Sequence, residues 1–292
     1  MIKSPTAKRK IFFTISIVLI VISIASLCLR GLNFGIDFTG GTTIQFDLGK
    51  TEYSSDVEAR IRDIAKETVK KNDITVQKTG ENGVSIKTVE LSNEESEKLT
   101  EALMKEYKLE QKVFSTDKVS GSVSDRLITD SLKAIALAVI LMLLYITWRF
   151  DFRSGTSAVL ALAHDVIIML GFYSIFQFTV STSFIAAVLT IVGYSINATI
   201  IVFDRVREKS RQASRNVTPD NIADEAVSNS YYRAINSSIT TLLTIGALYV
   251  MGVDSIKEFA LPIIIGIVAG TYSSLFIAAP FWAWWKNAEK KK

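Results

Sequence analysis

The sequence holds one cysteine, Cys28, and one histidine, His164. A disulfide within the chain is therefore excluded. So is a Cys/His metal cluster, which leaves no zinc chemistry, and no metal or cofactor is expected. Charge is missing from long stretches: Ile11–Leu29, Phe184–Phe203, Ile235–Val253 and Phe259–Trp285 contain no Asp, Glu, Lys or Arg. No lysine stands at phosphate-loop spacing after Gly40-Gly41, which argues against a nucleotide cradle. No Ser/His or paired-Asp arrangement lies at matching depth in the apolar stretches, so an intramembrane hydrolase is disfavoured. The chain is not expected to be an enzyme, and no nucleic-acid partner is expected.

What is present is a mixture. Of the 292 residues, 49% are hydrophobic and 21% are charged, a composition that suits a membrane protein with a substantial water-exposed part. A spanning helix needs about 20 apolar residues. Six stretches qualify: Ile11–Leu29, Leu132–Trp148, Thr156–Phe176, Phe184–Phe203, Ile235–Val253 and Phe259–Trp285, the last with Pro262 and Pro280 inside it. The first is longer than the roughly 7–15 apolar residues of a signal peptide and has no clear small-x-small cleavage site, so it reads as a retained anchor.

Lys and Arg set the orientation. The tail before the first span has Lys3, Lys8, Arg9 and Lys10, and the 149–155 loop has Arg149 and Arg153. The 204–233 loop has Arg205, Arg207, Lys209, Arg211, Arg215 and Arg233, and the C-terminal tail (286–292) has Lys286, Lys290, Lys291 and Lys292. Against these, the 177–183 loop has none and the 254–258 loop has Lys257 alone. Both termini are expected in the cytoplasm, with residues 30–131 facing outward and 132–285 forming the remaining spans.

The outward segment reads as β-α-β-β-α-β, the order of a ferredoxin-like α+β domain. Strands are expected over Thr42–Leu48, Ile74–Gln77, Val84–Val89 and Lys112–Val119, with Thr79–Gly83 as a hairpin turn. Helices are expected over Ser54–Lys71, with Ser54 or Ser55 and Glu58 as a capping box, and over Ser92–Tyr107, capped by Ser92 and Glu95.

Polar side chains inside a bilayer are costly and mark interior faces or wet cavities. Asp165 lies deep in the third span, as a structural carboxyl or a proton carrier. The adjacent His164 titrates near neutral pH when unperturbed, but sits about 100° around the helix and is expected to point elsewhere. Thr190, Gly193, Tyr194 and Asn197 share one face of the fourth span. Arg233, Ser237, Thr240, Thr241 and Thr244 recur at helical spacing in the fifth. Stripes of this kind pack helices together. Gly266, Gly270, Ser273 and Ser274 form a small-residue ridge in the sixth.

Several stretches, in order along nearly the whole chain, resemble the SecF family of the RND superfamily. They are "GIDFTGGT", "LAHDVIIMLGFYS", "LTIVGYSINATIIVFDRVRE", "YYRAINSSITTLLT" and "EFALPIIIGIVAGTYSSLFIAAP". The resemblance implies a six-span subunit of the bacterial cytoplasmic membrane that pairs with SecD and docks on the SecYEG channel. It implies that the subunit uses an ion gradient to draw an unfolded polypeptide outward across the lipid bilayer. The family's fourth-span motif G-Y-S-x-N-D reads Gly193-Tyr194-Ser195-Ile196-Asn197-Ala198 here, so the acid tied to proton coupling is replaced by Ala198. The family's D-R-x-R-E stretch is Asp204-Arg205-Val206-Arg207-Glu208. Arg233 matches the family's fifth-span arginine and is expected to approach Asp165 or Asp204. The family's D-F-x-G-G signature falls on Asp37 to Gly41. Gly35, Gly40 and Gly41 are expected to turn the chain as a hinge or packed junction, with Asp37 tying the turn. Two rival readings are a small-molecule or lipid exporter of the RND type, which needs a doubled body, and a passive assembly scaffold.

Overall fold

The computed structural model describes residues 4–49, 51–71, 73–79, 82–109, 114–214 and 216–290. Among them are six helices long and apolar enough to cross a membrane, so the chain is an α-helical membrane protein. It divides into two compact units, one of residues 1–33 with 132–292 and one of residues 34–131.

In the first unit, α1 (Arg9–Arg30) precedes the two-residue strand β1 (Asn33–Phe34). Much later come α5 (Gly121–Arg149), α6 (Phe152–Phe176), the short strand β6 (Thr179–Val180), α7 (Thr182–Gln212) and α8 (Pro219–Met251). The last apolar stretch is one continuous rod, but not uniformly α-helical. α9 (Asp254–Ser273) contains Pro262 and gives way to a π-helical turn over Ser274–Ala278, and α10 (Ala279–Lys290) follows. The stretch expected as a 204–233 loop is helical at both ends. α7 continues to Gln212, and α8 starts at Pro219 under a Thr218 cap whose hydroxyl accepts from the Asn221 N–H. Charged side chains favour helix once the turn is capped, and hydropathy alone cannot see that.

The interior of this unit is built of small residues. Ala158, Ala161, Ala223, Ala226, Ala278 and Ala283 are buried together. In a bilayer, small side chains let helix backbones approach and gain dispersion contact where the hydrophobic effect gives none. Gly171 of α6 shows how close: a Cβ there would lie 2.1 Å from the Ser23 hydroxyl of α1. Leu132, Leu137, Ile140 and Leu144 of α5 are exposed, as expected of side chains that face lipid tails.

The second unit contains α2 (Ile36–Thr39), β2 (Gly41–Asp47), α3 (Ser55–Val69), β3 (Ile74–Thr79), β4 (Gly83–Thr88), α4 (Asn93–Tyr107) and β5 (Phe114–Val119). The strands form one sheet in the order β3-β4-β2-β5, with every neighbouring pair antiparallel. In register, Ile44 stands opposite Ile86 on one side and Thr116 on the other. Period-2 alternation sends Ile44, Phe46, Val84 and Ile86 to one face, where they bury against Ile61 and Leu99 of the two helices. Part of the expected hairpin turn (80–81) and the start of the last expected strand (112–113) lie outside the described residues.

The two helix starts differ. Ser92 and Glu95 form the full reciprocal capping box. The Ser92 backbone N–H on its carboxylate, with Lys71 3.5 Å away, holds Glu95 below the usual carboxylate range. At α3 the expected box does not form. Ser54 caps the Val57 N–H, but Glu58 accepts instead from Tyr53 at 2.8 Å and Arg62 at 2.5 Å. Glu58 is four residues past the cap, one beyond the position from which a carboxylate closes the box on the cap N–H, and it bridges the Tyr53 hydroxyl before the cap to Arg62 one turn on.

The glycine-rich entry contains one turn of helix that no periodicity could announce. Gly35 starts α2, and the turn is closed by backbone bonds, including Phe38 N–H and Thr39 N–H to the Gly35 carbonyl at 3.0 and 3.1 Å. Gly35, at the cap position, has no side chain to cap it, and Asp37 sits within the first turn. Gly40 and Gly41 have φ of +68° and +120°, conformations that favour glycine.

Candidate functional site

Three helices of the first unit meet at Asp165. The small residues of α9 allow this: a Cβ on Gly266 would lie 2.6 Å from Ile191 of α7, and one on Gly270 would lie 3.0 Å from the Ser195 hydroxyl. With α9 seated that close, Asp165 is fully buried at 0% exposure. It stands roughly 17 Å from the Phe176 end of α6 at about 1.5 Å per residue, deep within a spanning helix. Its Oδ2 accepts from Ser195 Oγ of α7 at 2.5 Å and from Ser273 Oγ of α9 at 2.9 Å. Its Oδ1 lies 3.0 Å from His164 Nδ1. His164 and Asp165 thus converge, contrary to the expectation from helical spacing. Adjacent side chains leave the backbone about 100° apart, but the imidazole is long enough for its near nitrogen to curl back to the next carboxylate.

The node extends on both sides. His164 is 5% exposed and its ring stacks on Tyr272 of α9, with centroids 6.1 Å apart. The Tyr272 hydroxyl donates to the Phe12 carbonyl of α1 at 2.9 Å. Next to Ser273, Ser274 begins the π-helical turn and shares a hydrogen bond of 2.8 Å with Thr199. Turns of this type concentrate at functional positions in helices. A second hydroxyl chain joins Tyr194 to Ser238 at 3.4 Å and Ser238 to Thr271 at 2.6 Å.

Several other polar residues of α7 and α8 are not in the interior. Thr190, Gly193 and Asn197 are exposed on α7, and Arg233, Ser237, Thr240 and Thr244 are exposed on α8. A Cβ on Gly193 would meet nothing within 4 Å. Stripes of this kind pack helices together, and here the helices of this chain leave them uncovered, as a polar surface on helices long and apolar enough to span a membrane. Ala198, one residue past Asn197, is buried.

Arg233 reaches neither of its expected partners. Asp165 is satisfied by His164 and two serines, and Asp204 pairs with Arg149 of α5 at 2.7 Å. Arg205 pairs with Glu208 at 2.5 Å, and Lys209 pairs with Glu225. Near the same helix ends, Thr6 binds Asp224 through its N–H and hydroxyl at 2.9 and 2.8 Å, and Arg9 pairs with Asp220 at 3.1 Å. Asp204 and Arg205 therefore belong to a set of charged ties along the last three turns of α7 and the neighbouring ends of α1, α5 and α8, apart from the Asp165 node. Among the described residues, no group of three His, Cys, Asp or Glu side chains stands together.

Sequence reasoning passed over Ser195 and Tyr272. Ser195 lies inside the G-Y-S motif and Tyr272 next to the ridge serines, but helical spacing relates residues within one helix. The node is made across α1, α6, α7 and α9.

Residues 99–288 match the family described as protein export membrane protein SecD/SecF, C-terminal, and residues 25–52 match the SecD/SecF GG motif. Protein translocase subunit SecF of Sebaldella termitidis is 37% identical over 275 residues, covering 93% of this chain and 88% of that protein. Protein translocase subunit SecDF of Bacillus subtilis is 34% identical, covering 98% of this chain but 38% of that protein. The crystal structure of SecDF from Thermus, a translocon-associated membrane protein, superposes with a TM-score of 0.87 at 30% identity. It is covered over 97% of this chain and 38% of that one. The chain thus spans well under half the length of the SecDF proteins it matches.

Proposed function

The chain belongs to the SecD/SecF family of protein-export membrane proteins, and from that premise we propose that it is the SecF-like subunit of a bacterial protein translocase, assembled with a separate SecD-like chain. The observation that carries this reading is the uncovered polar surface of α7 and α8. Exposed Asn197, Thr240 and Thr244 on spanning helices are unfavourable against lipid tails, since polar side chains inside a membrane nearly always face protein or a wet cavity, and exposed Arg233 extends the same surface at the membrane boundary. A partner that buries them with matching polar groups removes that cost. SecDF relatives supply the partner's nature, since this chain matches a part of a longer fused protein.

In this reading, both termini face the cytoplasm and residues 34–131 form an outward domain. Its βαββαβ order and its sheet order support a ferredoxin-like fold. The ion gradient acts at the Asp165 node, because a change of charge there alters the hydrogen bonds that hold α6, α7 and α9 together. Two packings of these helices then move the outward domain, which grips and releases an unfolded chain emerging from the SecYEG channel. The charge change biases the two packings only through its differential interaction with them.

Association tests the assembly directly. Purified in mild detergent, the wild-type chain is expected to carry a distinct SecD-like chain with it. Gly193→Leu fills open space in this chain, so it should leave the melting temperature unchanged yet abolish copurification. A wild-type preparation that is a pure homodimer binding lipid would favour the exporter reading. A Gly193→Leu chain that holds its partner undiminished would place the interface elsewhere.

A further inference from the structure

We propose that the Asp165 node takes up and releases its proton at His164 Nε2, with Asp165 as the fixed counter-charge that positions the imidazole. This rests on the reading of the node as the site of ion coupling and names the atom that does it.

The inference follows from counting donors and acceptors. Asp165 is enclosed. Two hydroxyls converge on Oδ2, the imidazole Nδ1 holds Oδ1, and no part of the side chain reaches the surface. The hydroxyls are dead ends for a proton. Ser195 Oγ binds Asp165, and Ser273 Oγ binds Asp165 and the Gly270 carbonyl at 3.2 Å, with no onward polar side chain from either. One atom of the node remains: His164 Nε2 is buried and has no hydrogen-bond partner. Buried polar atoms are almost always paired, and an unpaired one beside a buried carboxylate is available for chemistry.

The protonation states lead to the same atom. Without the added proton, Nδ1–H donates to the Asp165 carboxylate and Nε2 carries a bare lone pair. With it, the node is either imidazolium facing carboxylate, or neutral acid facing imidazole after the Nδ1 proton slides to Oδ1. Nε2 holds a proton in both, so proton entry and exit run through Nε2 whichever form prevails. Uptake removes the net negative charge from a buried site, which is the change able to bias helix packing.

No charged side chain competes at this depth. α1 offers Ser16 and the Phe12 carbonyl, both through Tyr272. α7 offers Ser195, and α9 offers Tyr272 and Ser273. The charged residues of these helices lie away from the node, at Arg9, Lys10 and Arg30, at Asp204 and beyond, and at Asp254, Lys257 and Glu258.

His164 is the sole histidine of the chain, which makes nitrogen NMR unambiguous. The full chain, labelled with ¹⁵N-histidine and carboxyl-¹³C-aspartate, the Asp165 signal assigned by its loss in Asp165→Asn, is purified without a histidine tag, placed in lipid nanodiscs and titrated from about pH 9 to 5, the range in which histidine changes charge. The expected result is a bare Nε2 at high pH that becomes protonated on acidification, with Nδ1 protonated or sharing its proton with Asp165. In Asp165→Asn the high-pH tautomer should no longer be fixed, and both neutral forms should appear. The proposal is overturned if Nε2 keeps one protonation state throughout while the Asp165 carboxyl carbon titrates, or if Asp165→Asn leaves the tautomer unchanged. Export separates this from the wider reading. A silent Nε2 with export still sensitive to Asp165→Asn rejects His164 and keeps the coupling site. A titrating Nε2 with insensitive export supports the proton site and rejects its role in export.

Discussion

Asp165→Asn is expected to abolish the part of protein export that depends on the ion gradient while leaving the ATP-driven part intact. Asn is nearly the same size, so the space between α6, α7 and α9 stays filled and the chain still folds. The charge is what disappears. With Asp165 ionised, three donors converge on a carboxylate, and hydrogen bonds to charged groups are worth about 1.5–3 kcal/mol each. Losing one such contribution changes a two-state equilibrium by on the order of 10- to 100-fold. The gradient-dependent export rate in cells depleted of their own SecF should therefore fall at least about tenfold. Ser195→Ala and Ser273→Ala each remove one of two donors on Oδ2 and should cost less than Asp165→Asn does. Normal gradient-driven export by Asp165→Asn would remove the node from the mechanism.

Gly41→Val is expected to unfold the 34–131 unit. Gly41 opens β2 with φ +120°, a conformation costing a side-chain-bearing residue about 1–3 kcal/mol. Space is lacking as well. A Cβ would lie 2.3 Å from the Thr88 carbonyl oxygen, at the end of the β2–β4 ladder where Thr42 pairs with Thr88. Overpacking against backbone adds about 1–3 kcal/mol more, and together these are a large part of a small domain's stability. Gly49→Ala is the control. Gly49, in the same unit, also has positive φ, +63°, but its Cβ would meet only Leu109 Cδ2, at an ordinary 3.8 Å. Hydrogen exchange of the full-length chain should show loss of protection across β2, β4 and β5 in Gly41→Val and little change in that sheet in Gly49→Ala. Equal effects would mean that conformation alone, and not the Thr88 contact, sets the cost.

The membrane helices were legible because span length is dictated by bilayer thickness, and the strands because Thr42–Leu48 and Val84–Val89 alternate with period two. The capping box at Ser92 was legible because it is a four-residue rule. What escaped depends on other helices or on backbone geometry. Helical spacing sets the Cβ directions of His164 and Asp165, but not the reach of an imidazole. The same spacing grouped Thr190, Gly193 and Asn197 correctly on one face, yet could not say that this chain leaves that face uncovered. Arg233 was assigned to acids that Arg149, His164 and two serines already satisfy. The one-turn helix at Ile36–Thr39 and the π-helical turn at Ser274–Ala278 carry no periodic signal, being too short or too slight a departure from α.

The most direct measurement is complementation. A bacterial strain depleted of SecF is supplied with the wild-type chain, and the rate at which a secreted protein reaches the outer side is followed with and without the ion gradient. Membership of the SecD/SecF family and a working node together predict restored export that collapses with the gradient. A chain that is folded, inserted and bound to a SecD-like partner, yet leaves export at the depleted rate, would contradict the account.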